Sequence, residues 1–101
     1  LGGEGPSCVY VACTHGEDTR AAAFGACLAL RSAGVRTEAD YQGRSLKAQF
    51  KQADKLGARL ILIVGGDELA AGKVKVRDMV SHEEQLVDRS AIVEAVRRLL
   101  S

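Results

Sequence analysis

Residues 41–69 read YQGRSLKAQFKQADKLGARLILIVGGDEL. The run contains a turn, a helix and a strand, in that order. Residues 41–44 hold Gly43 and read as the turn. Ser45 stands where a side-chain oxygen can accept from a free N–H of the first helical turn. Leu46, Phe50, Ala53 and Leu56 recur at helical spacing, which predicts a helix that buries those four and stops at Gly57. Residues 60–64, LILIV, are apolar at every position. A strand with no polar face must be covered on both sides. A helix feeding a doubly covered strand predicts an α/β fold around a largely parallel sheet.

The rest of the chain agrees. Residues 8–12 (CVYVA) read as a strand, and Thr14-His15-Gly16 as a turn. Glu17 and Asp18 open a helix where its dipole favours acids. Phe24, Cys27, Leu28 and Arg31 follow at helical spacing, and Gly34 ends the helix. Residues 35–39 alternate and form a second strand. On the other side of the central strand, residues 67–72 read as a loop. Residues 73–79 alternate, with Val74 and Val76 on one face and Lys73, Lys75 and Arg77 on the other. A turn over 81–84 and a short strand over 85–87 follow. Ser90 caps a last helix to residue 100, with Ile92, Val93, Val96, Leu99 and Leu100 as its apolar stripe. The first three strands alternate with helices and should be parallel, with right-handed crossovers. The connection before Lys73 is too short for a helical crossover, so the fourth strand should be antiparallel.

The chain has 101 residues, enough for one domain. Residues 1–7 (LGGEGPS) read as a linker remnant, and 8–101 as the domain. No apolar run approaches membrane-spanning length, and the start lacks signal-peptide organisation. Cys8, Cys13 and Cys27 have no CxxC spacing. They suit free thiols of a cytoplasmic protein. The net charge of +1 hides an asymmetry. Arg44, Lys47, Lys51, Lys55 and Arg59 face one acid, Asp54, within residues 44–59.

Lys47, Lys51 and Lys55 lie four residues apart and repel one another on one helix face. An anionic partner offsets that cost; a plain solvated face is the bland alternative. Lys75 and Arg77 supply a second basic element, and two such elements can flank a phosphate backbone. Tyr41 can stack on an unpaired base, and Arg44 can bond to phosphate. Otherwise Tyr41 covers the edge of the core. Gly65-Gly66-Asp67-Glu68 closes the central strand at the sheet edge where open α/β folds bind ligands. There Glu68 can accept from a base amino group. Catalytic patterns fail. The run from Gly66 to Lys73 misses P-loop spacing and lacks its Ser/Thr. His15 and His82 have no metal-ligand spacing with the cysteines. No nucleophile, base and orienter set is present.

Tyr41-x-Gly43-Arg44-Ser45-Leu46-Lys47, Gln49, Ala53-Asp54-Lys55-Leu56-Gly57-Ala58, Gly65-x-Asp67-Glu68-Leu69, Gly72-x-Val74-x-Val76-x-Asp78 and Glu84-Gln85 together resemble the C-terminal anticodon-binding domain of histidyl-tRNA synthetases. The likeness spans residues 8–100. It implies a three-layer α/β/α fold with a mixed five-stranded sheet of order 2-1-3-4-5, strand 4 antiparallel. It also implies binding of the histidine tRNA anticodon stem-loop and a catalytic domain elsewhere in a homodimeric parent enzyme that uses ATP and magnesium. No cofactor is expected in this chain, whose residues lack the class II catalytic motifs. Arg44, Lys47, Lys51 and Lys55 become the expected phosphate contacts. Tyr41, Glu68, Lys75, Arg77 and Gln85 become the expected base contacts. The competing readings are a synthetase-like regulatory or protein-interaction domain that does not read tRNA, and a small flavodoxin-like enzyme or nucleotide binder.

Overall fold

The central strand is the least accessible part of the chain. In the computed structural model, which describes residues 8–39 and 43–100, it runs from Ala58 to Val64 (β3). Leu60, Ile61, Leu62 and Val64 are completely buried. β1 (Cys8–Cys13) lies parallel on one side, and β2 (Thr37–Ala39) lies parallel beyond it. On the other side β4 (Lys73–Asp78) runs antiparallel to β3, and β5 (Glu84–Asp88) antiparallel to β4. The order is β2-β1-β3-β4-β5, as expected.

Right-handed crossovers place the helices on opposite faces, because the chain moves outward from β1 to β2 and then back across β1 to β3. Helix α1 (Glu17–Ser32) and the last helix, α4 (Ile92–Leu100), cover one face. There Val9, Val11, Leu60, Leu62, Val74 and Val76 pack against Ala23, Cys27, Leu30, Ile92 and Val96. Helix α2 (Leu46–Lys55) covers the other face over Tyr10, Ala12, Ile61 and Ile63. α2 does not reach β4 and β5 fully, so that part of its face stays open. Cys13 and Cys27 are free thiols; the side chain of Cys8 lies outside the description.

Several local expectations need correction. β2 is shorter than 35–39, because Val35 is used to finish α1: its N–H donates to Leu30 O while Gly34 takes φ 84°. Residues 67–72 are not all loop; Gly66–Ala70 form one short helix (α3). Ser90 does not cap α4. It sits inside a 3-10 turn, Arg89–Ala91, that follows β5 without a break. On α2 the fully buried residues are Gln49 and Ala53. Leu46 and Phe50 are partly buried, and Leu56 is 45% exposed. Phe24 and Leu28 of α1 are exposed as well.

Gln49 is the unexpected core residue, only 1% exposed. Alternate residues of β1 bond toward β2, as Val9 N–H does to Arg36 O. β2 ends at Ala39, opposite Val11, and Cys13 lies two residues beyond that pairing. There the Gln49 side chain bonds both backbone groups of Cys13. Its Oε1 accepts from Cys13 N–H at 3.0 Å, and its Nε2 donates to Cys13 O at 3.0 Å. The same nitrogen donates to Arg44 O at 2.8 Å. One amide thus continues the sheet and fixes the backbone just before α2. Ser45 Oγ caps α2 by accepting from Ala48 N–H, as predicted.

At the far end of the sheet, Asp78 organises the β4–β5 connection. Its Oδ1 accepts from Val80 N–H at 2.8 Å and Ser81 N–H at 3.0 Å. His82 closes the turn at φ 67°. The bond from Ser81 N–H, then that from Val80, holds the Asp78 carboxyl below its usual 3.8, with Arg59 and His82 adding to the effect.

Gln49→Leu roughly keeps the volume and removes the side-chain bonds to Cys13 N–H, Cys13 O and Arg44 O. It should lower the unfolding free energy by about 3 kcal/mol, read from urea denaturation. A loss below about 1 kcal/mol would show the amide to be dispensable. The depressed Asp78 carboxyl gives stability that is complete above its unfolded value and is lost as pH falls through the folded one. Asp78→Ala should therefore reduce the melting temperature at neutral pH but flatten its fall below about pH 4. Parallel melting curves for the two proteins across that range would contradict this.

Candidate nucleic-acid interface

The open part of the α2 face has a wall and a floor. α2 is the wall. Lys47, Lys51 and Lys55 are exposed along it, with Arg44 exposed just before its first turn. Among the described residues, these three lysines have no acid within ion-pair distance. Phe50 leans from α2 toward β4, and at 100° per residue Lys47 and Lys51 project from that same flank. The guanidinium of Arg77 lies over the Phe50 ring, 5.8 Å from its centroid. That contact joins wall to floor.

The floor is the β4–β5 hairpin. Lys73, Lys75 and Arg77 alternate with the buried Val74 and Val76, as predicted. Register sets Lys73 against Asp88, Lys75 against Leu86 and Arg77 against Glu84. Two acids serve the three cations. Lys73 pairs with Asp88. Arg77 Nη1 donates to Glu84 Oε2 at 3.0 Å, and Lys75 Nζ lies 3.8 Å from Glu84 Oε1. Arg77 Nη2 also meets His82 Nδ1 at 3.1 Å; since arginine only donates, this ring nitrogen is the acceptor. Leu86 is 55% exposed between the charged pairs. Wall and floor therefore differ: the α2 lysines have no acid beside them, and the β4 cations are paired with two acids that offset part of their charge.

The remaining expected residues sit elsewhere. Gln85 is opposite Val76, so strand alternation turns it to the α1–α4 face, away from Lys75 and Arg77. Glu68 lies on α3 and folds back over the end of β3. A Cβ on Gly65 would come within 2.2 Å of Glu68 Oε1, so only glycine allows that pose. Arg59, counted with the α2 cations by sequence, turns instead toward Asp78 at 3.8 Å. Tyr41 lies outside the described residues. Where the chain crosses between helices, Thr14, His15, Arg20, Arg44 and Gln49 line a small notch at the carboxyl end of β1. A separate, mainly apolar cavity of about 460 Å³ opens between α1 and β1, beside Cys13, Arg20 and Phe24.

Sequence reasoning missed Glu84 and Phe50 as parts of this surface. Glu84 was legible only through the hairpin register, which the five residues between the strands decide. Gln49 belonged to the quoted pattern but carried no assigned role. Among the described residues, no group of three or more His, Cys, Asp or Glu side chains could hold a metal ion, and no helix is long and apolar enough to cross a membrane.

Comparison with known proteins agrees with this fold. The family model described as the anticodon binding domain matches residues 8–99. The histidine–tRNA ligase of Pelotomaculum thermopropionicum is 42% identical over 101 residues, covering 100% of this chain and 24% of that protein. That of Desulforudis audaxviator is 54% identical over 69 residues, covering 68% of this chain and 16% of its own. The crystal structure of apo histidyl-tRNA synthetase from S. aureus superposes with a TM-score of 0.84 at 30% identity, over 94% of this chain and 24% of that one. Prolyl-tRNA synthetase from Cryptosporidium parvum, at 19% identity and a TM-score of 0.83, shares the fold. The chain spans about a quarter of the first of these relatives. Fold, quoted motifs and relatives converge: the chain belongs to the anticodon-binding domain family and matches the domain found in histidine–tRNA ligases.

Proposed function

We propose that this domain binds the anticodon stem-loop of the histidine tRNA and holds that tRNA for a catalytic unit in a longer protein. The observation that carries the reading is the uncompensated row Lys47, Lys51 and Lys55 beside a floor of ion-paired polar groups, in a chain of this family. Phosphates follow a regular backbone and are met by mobile, unpaired cations. Bases in a loop are splayed and offer their edges to fixed polar groups.

In this reading Arg44, Lys47, Lys51 and Lys55 bind stem phosphates. Lys75 and Arg77 meet base edges, with Arg77 steadied by Phe50 and Glu84. Tyr41 and Glu68 are further candidates for base contacts. Gln85, on the other face, is assigned none. ATP, magnesium and histidine belong to the catalytic unit, and a homodimeric parent is part of the same proposal.

Fluorescence anisotropy with a histidine anticodon stem-loop and a scrambled-loop control tests the reading at several salt concentrations. Affinity should fall with salt. Lys51→Ala should weaken both RNAs alike and reduce the salt slope by about one unit. Arg77→Ala should instead reduce the preference for the histidine loop, by roughly 1–3 kcal/mol. Equal binding of the two loops, unchanged by Arg77→Ala, would exclude anticodon reading and favour a protein-interaction domain.

A further inference from the structure

We infer that Glu84 is a specificity-determining residue: its carboxylate, shared by Lys75 and Arg77, offsets enough of their charge that the floor disfavours bare phosphate and accepts unpaired base edges. This inference rests on the nucleic-acid reading of the α2 face. It concerns a residue that has so far served only as an ion-pair partner.

The geometry is specific. One carboxylate spans two cations, with Oε2 on Arg77 Nη1 at 3.0 Å and Oε1 3.8 Å from Lys75 Nζ. Arg77 is further held by His82 Nδ1 and by the Phe50 ring. Ordinary surface ion pairs contribute little to folding, about 0–1 kcal/mol. The effect on a ligand is larger, because the carboxylate changes what the surface attracts. A phosphate has acceptors only. To reach Arg77 it must displace Glu84 and then lie beside that carboxylate, so repulsion cancels most of the gain. An unpaired base presents donors beside acceptors on one edge. Its acceptor can take a free N–H of Arg77 or Lys75 while its amino or imino N–H donates to Glu84. The ion pair then stays intact and becomes a combined donor and acceptor surface. Bases inside a stem have those edges occupied by pairing. Glu84 thus directs loops to the floor and leaves stems to the lysines of α2, which have no such acid.

The test is Glu84→Gln, which keeps shape and polarity and removes the charge. Three RNAs are titrated by anisotropy across salt: the histidine anticodon stem-loop, the same stem with a scrambled loop, and a blunt duplex. Freed cations should tighten the scrambled loop and the duplex and steepen their salt slopes by about one unit. The histidine loop should gain nothing, so its preference over the scrambled loop should fall about fivefold or more. Lys51→Ala is the control for the surface. If it weakens all three RNAs while Glu84→Gln changes neither slopes nor preference, the role assigned to Glu84 is wrong and the nucleic-acid reading stands. If neither variant alters binding, the α2 face is not the interface, and both fall. Should Glu84→Gln fail to fold by circular dichroism, Glu84→Asp takes its place. The shorter acid releases the 3.0 Å bond to Arg77 and should shift preference in the same direction; an unchanged preference overturns the assignment.

Discussion

A side-chain amide standing in for a strand holds this domain together at its most demanding point. β2 is three residues long, and β1 outruns it. Backbone groups at the end of a buried strand need partners, and Gln49 supplies them from a helix on the other side of the crossover. Because its nitrogen also holds Arg44 O, the same residue sets where α2 begins. The direction of α2 then decides how the lysine row lies above the open hairpin. Sheet, crossover and basic face are coupled through one amide.

The two basic elements are built on different electrostatic plans. The α2 lysines are long, exposed and unpaired, which suits a partner met first through its overall charge. The β4 cations are short-range groups, held by acids on β5 and, for Arg77, by an aromatic ring. A surface that combines both attracts at a distance with one and discriminates at close range with the other. In the four-residue spacing of the lysines, self-repulsion is accepted for the sake of that attraction.

Much of this was legible in the sequence, for identifiable reasons. Residues 60–64 have no polar face, so their burial and the central place of β3 followed directly. Alternation over 73–79 gave the face of Lys75 and Arg77, and the short link before Lys73 gave its direction. What escaped depended on partners distant in the chain. Gln49 looks like any polar helical residue until its bonds to Cys13, 36 positions away, are visible. Leu56 has helical spacing with Ala53, yet it lies at the end of α2, past the sheet it would cover. Ser90 has cap chemistry, but the chain leaves β5 already coiling, so no cap position forms there. Gln85 and Glu84 differ by one residue and hence by a whole sheet face, which only the register resolves.

The outermost strand gives the paired acids a second meaning. Among the described strands β5 is outermost, with a neighbour on one side only, and such an edge can take up an extended chain. Glu84 and Asp88 stand at its two ends, with the exposed Leu86 between them. Charges at the limits of a short edge strand discourage a sixth strand from adding and thereby keep copies of the domain from assembling edge to edge. The residues that pair with the cations of β4 thus also put charge on the edge strand, a placement that disfavours pairing with another edge.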